Sequence, residues 1–359
     1  MLKEKIKILV TDDSLVTRKF LANMLSLDPD VEIIGTVSNG AEALAFVRKM
    51  KPDVITMDIN MPVMDGFEAT INIMREIPIP IVIVSSAYSP ADTAKKFRAL
   101  EVGAVGILPL PFGLGHPDYE KSMKHFVSTV KLMSEVKLIK RWTHTPGALK
   151  PDPAKELQVQ VKENKARESA VSIIVIGASA GGPIAIKEIL DNISVNLAVP
   201  VIIVQHIDSE FTRGYVDWLN LSSGITVVIA KDGEKMEAGK AYMAPGDHHI
   251  GVKSMNTIMI SKDIQESSLR PSVSFLFRSV RTIYHDKAIC ILLSGMGVDG
   301  AKELKLLKDE GAITIAQDAA SSLIHGMPGE AIKMGGAGYV LSPSQIVNFI
   351  QKHVPTLSK

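Results

Sequence analysis

Cysteine is nearly absent from this 359-residue chain. Cys290 is the single one, so no disulfide can form within the chain, and its place in the apolar run 288–293 marks it as a core residue rather than a ligand. Charge imbalance is lacking too. With 40 Lys and Arg against 39 Asp and Glu the formal charge is +1, which gives no bulk attraction to nucleic acid or to an anionic membrane. No apolar stretch reaches the ~20 residues of a membrane span. The opening residues Met1-Leu-Lys-Glu-Lys-Ile-Lys7 run into a strand without a signal-peptide core. These absences predict a soluble, cytoplasmic protein with no nucleic-acid partner and no direct membrane insertion. What is present is a globular balance of 46% hydrophobic and 22% charged residues, over a length that suits two domains and a connector.

The first third alternates regularly. Apolar strands are expected over 6–10, 31–37, 54–57, 79–84 and 105–108. Helices are expected after the first strand, with Val16, Phe20, Leu21, Met24 and Leu25 as the apolar stripe, and over 41–50 and 92–100. Such alternation predicts a parallel sheet with helices on both faces, whose sites gather at the carboxyl ends of the strands. Asp12, Asp13 and Asp58 all fall at strand ends, so three carboxylates should converge. Crowded carboxylates repel unless a cation neutralises them, and oxygen-only ligands favour Mg²⁺ before Ca²⁺. A metal-held aspartate can also accept a phosphoryl group. Asp12 or Asp13 could instead cap the first helix, which leaves Asp58 without a role.

Asp12-Asp13, then Asp58-Ile-Asn-Met-Pro-Val-Met-Asp-Gly66, then Ser85, resembles the response-regulator receiver family. The resemblance implies a flavodoxin-like doubly wound domain with Asp58 as phosphoacceptor, Asp12, Asp13 and Asp58 around Mg²⁺, and Ser85 in contact with the phosphoryl group. The fifth strand departs from the family. In Gly103-Ala-Val-Gly-Ile-Leu-Pro-Leu-Pro111, Leu110 stands where the phosphate-pairing lysine is expected and Ile107 where the switching aromatic is expected. Leucine cannot donate a charge-assisted hydrogen bond to phosphate. The departure predicts an atypical receiver that is still phosphorylated but whose coupling to rearrangement is reduced or altered.

A helix is expected over 118–140. Periodicity then vanishes from 142 to 169, where Pro146, Gly147, Pro151 and Pro153 precede a charged run, the signature of an interdomain linker. The expected division is a receiver over 1–125, helix and linker over 126–169, and a second domain over 170–359.

The second domain begins with Ser172-Ile-Ile-Val-Ile-Gly-Ala-Ser-Ala-Gly-Gly-Pro183. Its apolar run reads as a buried strand, and Pro183 suits the first turn of a following helix. Gly177-x-Ser179-x-Gly181 fits a nucleophile elbow. A phosphate-cradling glycine turn is the weaker alternative, because that pattern wants a further glycine, its middle one, where Ser179 stands. A plain helix cap is a third. Further strands over 199–204, 227–230, 241–243, 257–260, 288–293 and 313–316, with helices between, predict a second doubly wound, mostly parallel α/β sheet that is mixed at its edge.

Three expected strand ends carry Ser179, His206 and Asp299. A serine hydroxyl needs a base, and a histidine needs a carboxylate to fix its tautomer and to stabilise the imidazolium. Asp299 could instead be the N-cap of the helix from 301. The adjacent His248 and His249 point to opposite faces of a strand, a poor metal geometry. His325 ranks below His206.

The second half resembles the effector domain of the chemotaxis protein-glutamate methylesterases. The resemblance rests on Gly177-Ala-Ser-Ala-Gly-Gly182, Val204-Gln-His206, Phe211-Thr-Arg213, Ala244-Pro-Gly-Asp-His-His249, Arg270-Pro-Ser-Val273, Leu293-Ser-Gly-Met-Gly-Val-Asp-Gly300, Ala316-Gln-Asp318 and Gly326-Met-Pro328. It implies Ser179 as nucleophile, His206 as base and acid, Asp299 as orienting carboxylate, and the Met296 N–H as oxyanion donor. Where the family often has threonine after the nucleophile, this chain has Ala180. The implied activity is a cofactor-independent hydrolysis of glutamate methyl esters on chemoreceptors, and deamidation of receptor glutamines. A chemotaxis histidine kinase and methylated chemoreceptors are the implied partners, in a two-component system in which the unphosphorylated receiver covers the effector cleft. Competing readings are a receptor-docking scaffold, a receiver-controlled transcription factor, and a hydrolase acting on a different ester. The +1 charge and the α/β output domain disfavour the second.

Overall fold

A computed structural model describes residues 4–85, 97–136, 138, 171–266 and 269–357. The expected linker 142–169 and most of the expected helix over 92–100 lie outside the described residues.

The first sheet contains β1 (Ile6–Thr11), β2 (Val31–Val37), β3 (Val54–Met57), β4 (Ile81–Ser85) and β5 (Gly106–Pro109), in the order β2-β1-β3-β4-β5. Every pairing is parallel, the flavodoxin-like arrangement expected of a receiver. Helices α1 (Leu15–Ser26), α2 (Gly40–Lys49), α3 (Gly66–Glu76), the helical stretch 97–101 (α4) and α5 (Tyr119–Ser134) flank it. Two aspartates compete for the start of α1 on paper, but Ser14 is its N-cap, accepting from the Thr17 N–H. Helix α5 is one element whose Phe126, Val130 and Met133 are buried against the first sheet. A domain limit at 125 therefore cuts through a helix that belongs to the receiver.

The second sheet orders seven strands as β14-β13-β12-β6-β7-β9-β8. They are β6 (Ile173–Ala178), β7 (Val201–Gln205), β8 (Thr226–Ile229), β9 (Lys240–Met243), β12 (Ala288–Leu292), β13 (Ile313–Gln317) and β14 (Tyr339–Leu341). All six pairings are parallel, so the expected mixed edge is corrected. Residues 257–261 form β11, which pairs antiparallel with β10 (His249–Ser254) in a separate two-stranded ribbon. Alternation along β6 explains its unbroken apolar run. Ile173 and Val175 face one core with α8 (Val273–Tyr284) and α9 (Ala301–Asp309). Ile174 and Ile176 face the other, with α6 (Gly182–Asn192), α7 (Thr212–Leu219) and α11 (Pro343–His353). A strand buried on both faces has no polar alternation to show.

The domains meet along α4 and α5. Phe97 packs on Tyr215 and Trp218 with ring centroids 5.2 and 5.4 Å apart, and the Trp218 indole N–H donates to Glu101 Oε1 at 3.2 Å. His125 of α5 lies 3.9 Å from Asp208. Ala180, Leu323 and Ile324 pack against the apolar cluster built on Phe126 and Val130, as does Leu110 from the end of β5.

Candidate active site

Strand order sets the site. β6 lies between β12 and β7, and its end residue Ala178 pairs with Gln205. Ser179 and His206 therefore leave adjacent strands together, and the His206 N–H donates to the Ala178 carbonyl at 2.9 Å. On the other side the Ser179 N–H donates to the Ser294 carbonyl at 3.0 Å. Gln205 ties the two turns, its Nε2 donating to the Ser179 and His206 carbonyls at 2.8 and 3.0 Å. The turn after Ser179 requires glycine. Gly181 has φ of +80°, and a Cβ there would lie 2.5 Å from both Leu323 Cβ and Ser294 Oγ. Gly181 is thus the N-cap of α6 without a side-chain bond, and Pro183 occupies its first turn.

Asp299 reaches His206 from beyond β12, with His206 Nε2 and Asp299 Oδ2 3.0 Å apart and both side chains largely buried. It does not cap α9, whose N-cap is Gly300. Its carboxylate instead sits on the first turn of α8. Oδ2 accepts from the Val273 N–H at 2.7 Å, and Oδ1 accepts from the Ser274 N–H and the Ser272 hydroxyl, each at 3.0 Å. Burial pushes the Asp299 carboxyl up, but the hydrogen bond and charge of the facing His206 ring, with those from Ser274, hold it well below the usual carboxylate range. A helix N-terminus favours the same anion. Among the described residues the Ser179 hydroxyl takes no hydrogen bond, and the His206 ring meets Asp299 alone. One imidazole nitrogen thus stays available beside the serine turn, and catalytic bonds of this kind often tighten only when substrate binds.

The Gly295–Gly297 turn is held from both sides. The Gly295 N–H donates to the Ile324 carbonyl, while the Gly295 carbonyl accepts from Gly326 and Met327. The Met296 N–H takes no partner among the described residues, and the Met296 side chain is exposed. The expected strand ends of Ser179, His206 and Asp299 meet at this rim, and Met296, named through the family resemblance alone, lies in the neighbouring turn. The sequence does not show the first turn of α8 or the role of Gln205, although both lie inside quoted stretches. His249 is buried and His248 Nδ1 donates to the Gly246 carbonyl of its own turn at 2.8 Å. Neither joins the site.

In the receiver, Thr11 and Met57 are register partners, so Asp12 and Asp58 follow at neighbouring positions. Ser85 ends β4 and is buried. Burial raises the Asp12 carboxyl to about 6, and the Asp58 and Asp13 charges add to the rise. The Ser14 N–H and Arg18 oppose it, and Arg18 also donates to the Asp12 and Asp13 carbonyls. Among the described residues no three acidic, histidine or cysteine side chains are drawn closely enough together to hold a metal ion. The expected convergence is therefore a shared acidic rim rather than a finished cage. Its all-oxygen donors and mutual repulsion fit a hard divalent cation.

A receiver-like parallel sheet is thus joined to a second parallel sheet with Ser179, His206 and Asp299 at one rim, and the order serine, histidine, aspartate sets the second sheet apart from the α/β-hydrolase fold. The family description CheB methylesterase matches residues 174–350, and response regulator receiver domain matches residues 8–116. The chain is 44% identical to protein-glutamate methylesterase/protein-glutamine glutaminase 1 of Syntrophus aciditrophicus (strain SB), over 97% of this chain and 98% of the relative. It is 47% identical to protein-glutamate methylesterase/protein-glutamine glutaminase 4 of Geobacter metallireducens, over 95% of this chain and 97% of the relative. The crystal structure of the Thermotoga maritima CheB methylesterase catalytic domain is similar at 35% identity and a TM-score of 0.49, covering 51% of this chain and 98% of that one. The chain belongs to the protein-glutamate methylesterase/protein-glutamine glutaminase family. No helix among the described residues is long and apolar enough to cross a membrane.

Proposed function

We propose that this protein hydrolyses glutamate methyl esters on chemoreceptors, and deamidates receptor glutamines, for sensory adaptation in chemotaxis. The observation that carries the reading is the 3.0 Å His206–Asp299 bond beside the Ser179 turn. The Ser179 hydroxyl attacks the ester carbonyl carbon while the neutral His206 ring takes its proton. Asp299 stabilises the imidazolium that results. Negative charge develops on the carbonyl oxygen, toward which the Met296 N–H is the donor, a contribution typically worth ~10²–10³ in turnover. His206 then returns the proton to the departing methoxide, or to the amine of a glutamine, so that methanol or ammonia leaves. Water attacks the acyl-serine by the same route, giving glutamate and free Ser179. No cofactor enters these steps.

The receiver is the proposed control element. Asp58 is the proposed phosphoacceptor for a histidine kinase, with Ser85 at the phosphoryl group and Asp12, Asp13 and Asp58 as the residues that would hold Mg²⁺. That ion would neutralise the carboxylates and the incoming phosphoryl oxygens. The receiver's apolar cluster covers Ala180, the residue after the nucleophile, which supports a block on the site in this arrangement. A phosphoryl group adds about −1.5 to −2 charges, enough to bias an interdomain seam of modest size. Leu110 offers that group no cation and is committed to the apolar cluster instead, which supports weak coupling. Methanol release from methylated receptor membranes tests the reading. The parent should release it and Ser179→Ala should lose at least about 10³-fold. A silent parent, or an active Ser179→Ala, would falsify the assignment.

A further inference from the structure

Asp299 is a loop residue, yet both its oxygens accept from a segment some 26 residues earlier in the chain. That segment contains Ser272, to which the chemistry above gives no role. Ser272 is fully buried and is the N-cap of α8. Its Oγ accepts from the Phe275 N–H at 3.3 Å and lies 3.0 Å from Asp299 Oδ1 and 3.2 Å from Glu266 Oε2. A hydroxyl has one proton, so it serves one carboxylate at a time. Glu266 already has a cation, because Arg278 pairs with it. Asp299 Oδ1 faces no cation among the described residues and otherwise takes its donors from Ser274. The Ser272 proton therefore belongs to Asp299.

The Ser272 backbone is pinned independently. Its N–H donates to Nδ1 of the buried His249 at 3.2 Å, and His249 Nε2 faces the Ile264 carbonyl at 3.3 Å. A donor at one ring nitrogen and an acceptor at the other fix the tautomer, with the proton on Nε2. The ring also stacks on Phe275 at 4.6 Å. The two duties of the hydroxyl are chemically separable. Capping uses Oγ as an acceptor, while holding Asp299 uses it as a donor.

We infer that Ser272 is a positioning residue, whose hydroxyl holds Asp299 Oδ1 so that Oδ2 keeps its reach to His206. Arg278 serves the same end by occupying Glu266, the competitor for that proton. The inference rests on the reading of Ser179, His206 and Asp299 as the reacting group.

Glycine serves as an N-cap nearly as well as serine but has no hydroxyl, so Ser272→Gly separates the duties. Methanol release by the full chain, at one fixed level of phosphodonor, should show kcat down about tenfold with KM within about twofold. In an Asp299→Ala background the same change should cost less than about twofold, because its effect runs through Asp299. Parent-like turnover of Ser272→Gly overturns the inference. So does a tenfold loss that persists undiminished without the Asp299 carboxylate. If Ser272→Gly does not fold, Arg278→Gln decides: it should lower kcat about threefold, and adding Glu266→Ala should restore it, while no loss overturns the inference. Silence of Ser179→Ala beside a parent-like Ser272→Gly leaves the site reading intact. Release that survives Ser179→Ala overturns both.

Discussion

Asp12 is a carboxyl group kept from water beside two others, and its charge is unwelcome in the folded receiver. Folded, it releases its proton near pH 6, whereas an ordinary aspartate does so near 3.8. Between those values the folded chain binds more protons than the unfolded one, so stability falls as pH rises through the window and levels above it. The full shift corresponds to about 3 kcal/mol or less. Thermal unfolding of the receiver without Mg²⁺ should therefore show the parent losing stability relative to Asp12→Asn between about pH 4 and 7. Adding Mg²⁺ should recover the loss at pH 7 and change little at pH 4. Equal slopes for the two proteins would contradict this account of Asp12. Single residues were also where the sequence was most ambiguous. Asp12, Asp13 and Asp299 each precede a helix, and local spacing allows each to be a cap. Ser14 and Gly300 take those places. What frees Asp299 is its bond to a helix start far back along the chain, a non-local fact that spacing does not carry.

Among the elements, α8 is the one on which the site leans. Its first residue packs so tightly on β6 that a Cβ at Gly177 would fall 2.3 Å from Val273 Cγ1. Gly177→Ala should push back the same turn that holds Asp299. Overpacking of this kind costs about 1–3 kcal/mol, so the thermal midpoint and kcat should both fall. Val273→Ala in the same chain should recover part of each, and strict additivity of the two changes would refute the coupling. Elements with clear turn residues at both ends were legible. Strands 31–37 and 54–57 fall where the alternation puts them. The apolar spacing of residues 118–140 predicts one helix, and α5 occupies its first part. Strand β10 gave no signal, because its buried run His249-Ile-Gly-Val252 mixes a histidine and a glycine with only two apolar residues, and Lys253 and Ser254 are exposed. Strand β14 has three partly exposed residues, too few to display a period.

At the scale of the molecule, doubly wound order places β6 at the centre with one partner strand on each side, so the chain order serine, histidine, aspartate follows from the winding. That much could be read from strand ends alone. The seam between domains could not, since nothing in the spacing of 97–101 or 212–219 says that they face each other. Glu101 is exposed, so changing it should spare the receiver core while removing the acceptor of the Trp218 indole. A hydrogen bond worth about 1 kcal/mol corresponds to about fivefold. Glu101→Ala should raise methanol release without phosphodonor by roughly that factor, and an unchanged basal rate would count against the seam as a restraint.

That indole has an optical consequence. The chain has two tryptophans, Trp142 and Trp218. Trp218 is fully buried, stacked near Phe97 and Tyr215, with the Lys187 ammonium 5.2 Å above its ring. In a Trp142→Phe chain every photon of indole emission comes from the seam itself. Separation of the domains would wet the ring and move its emission to longer wavelength, so the protein carries its own dye at the joint between its two domains.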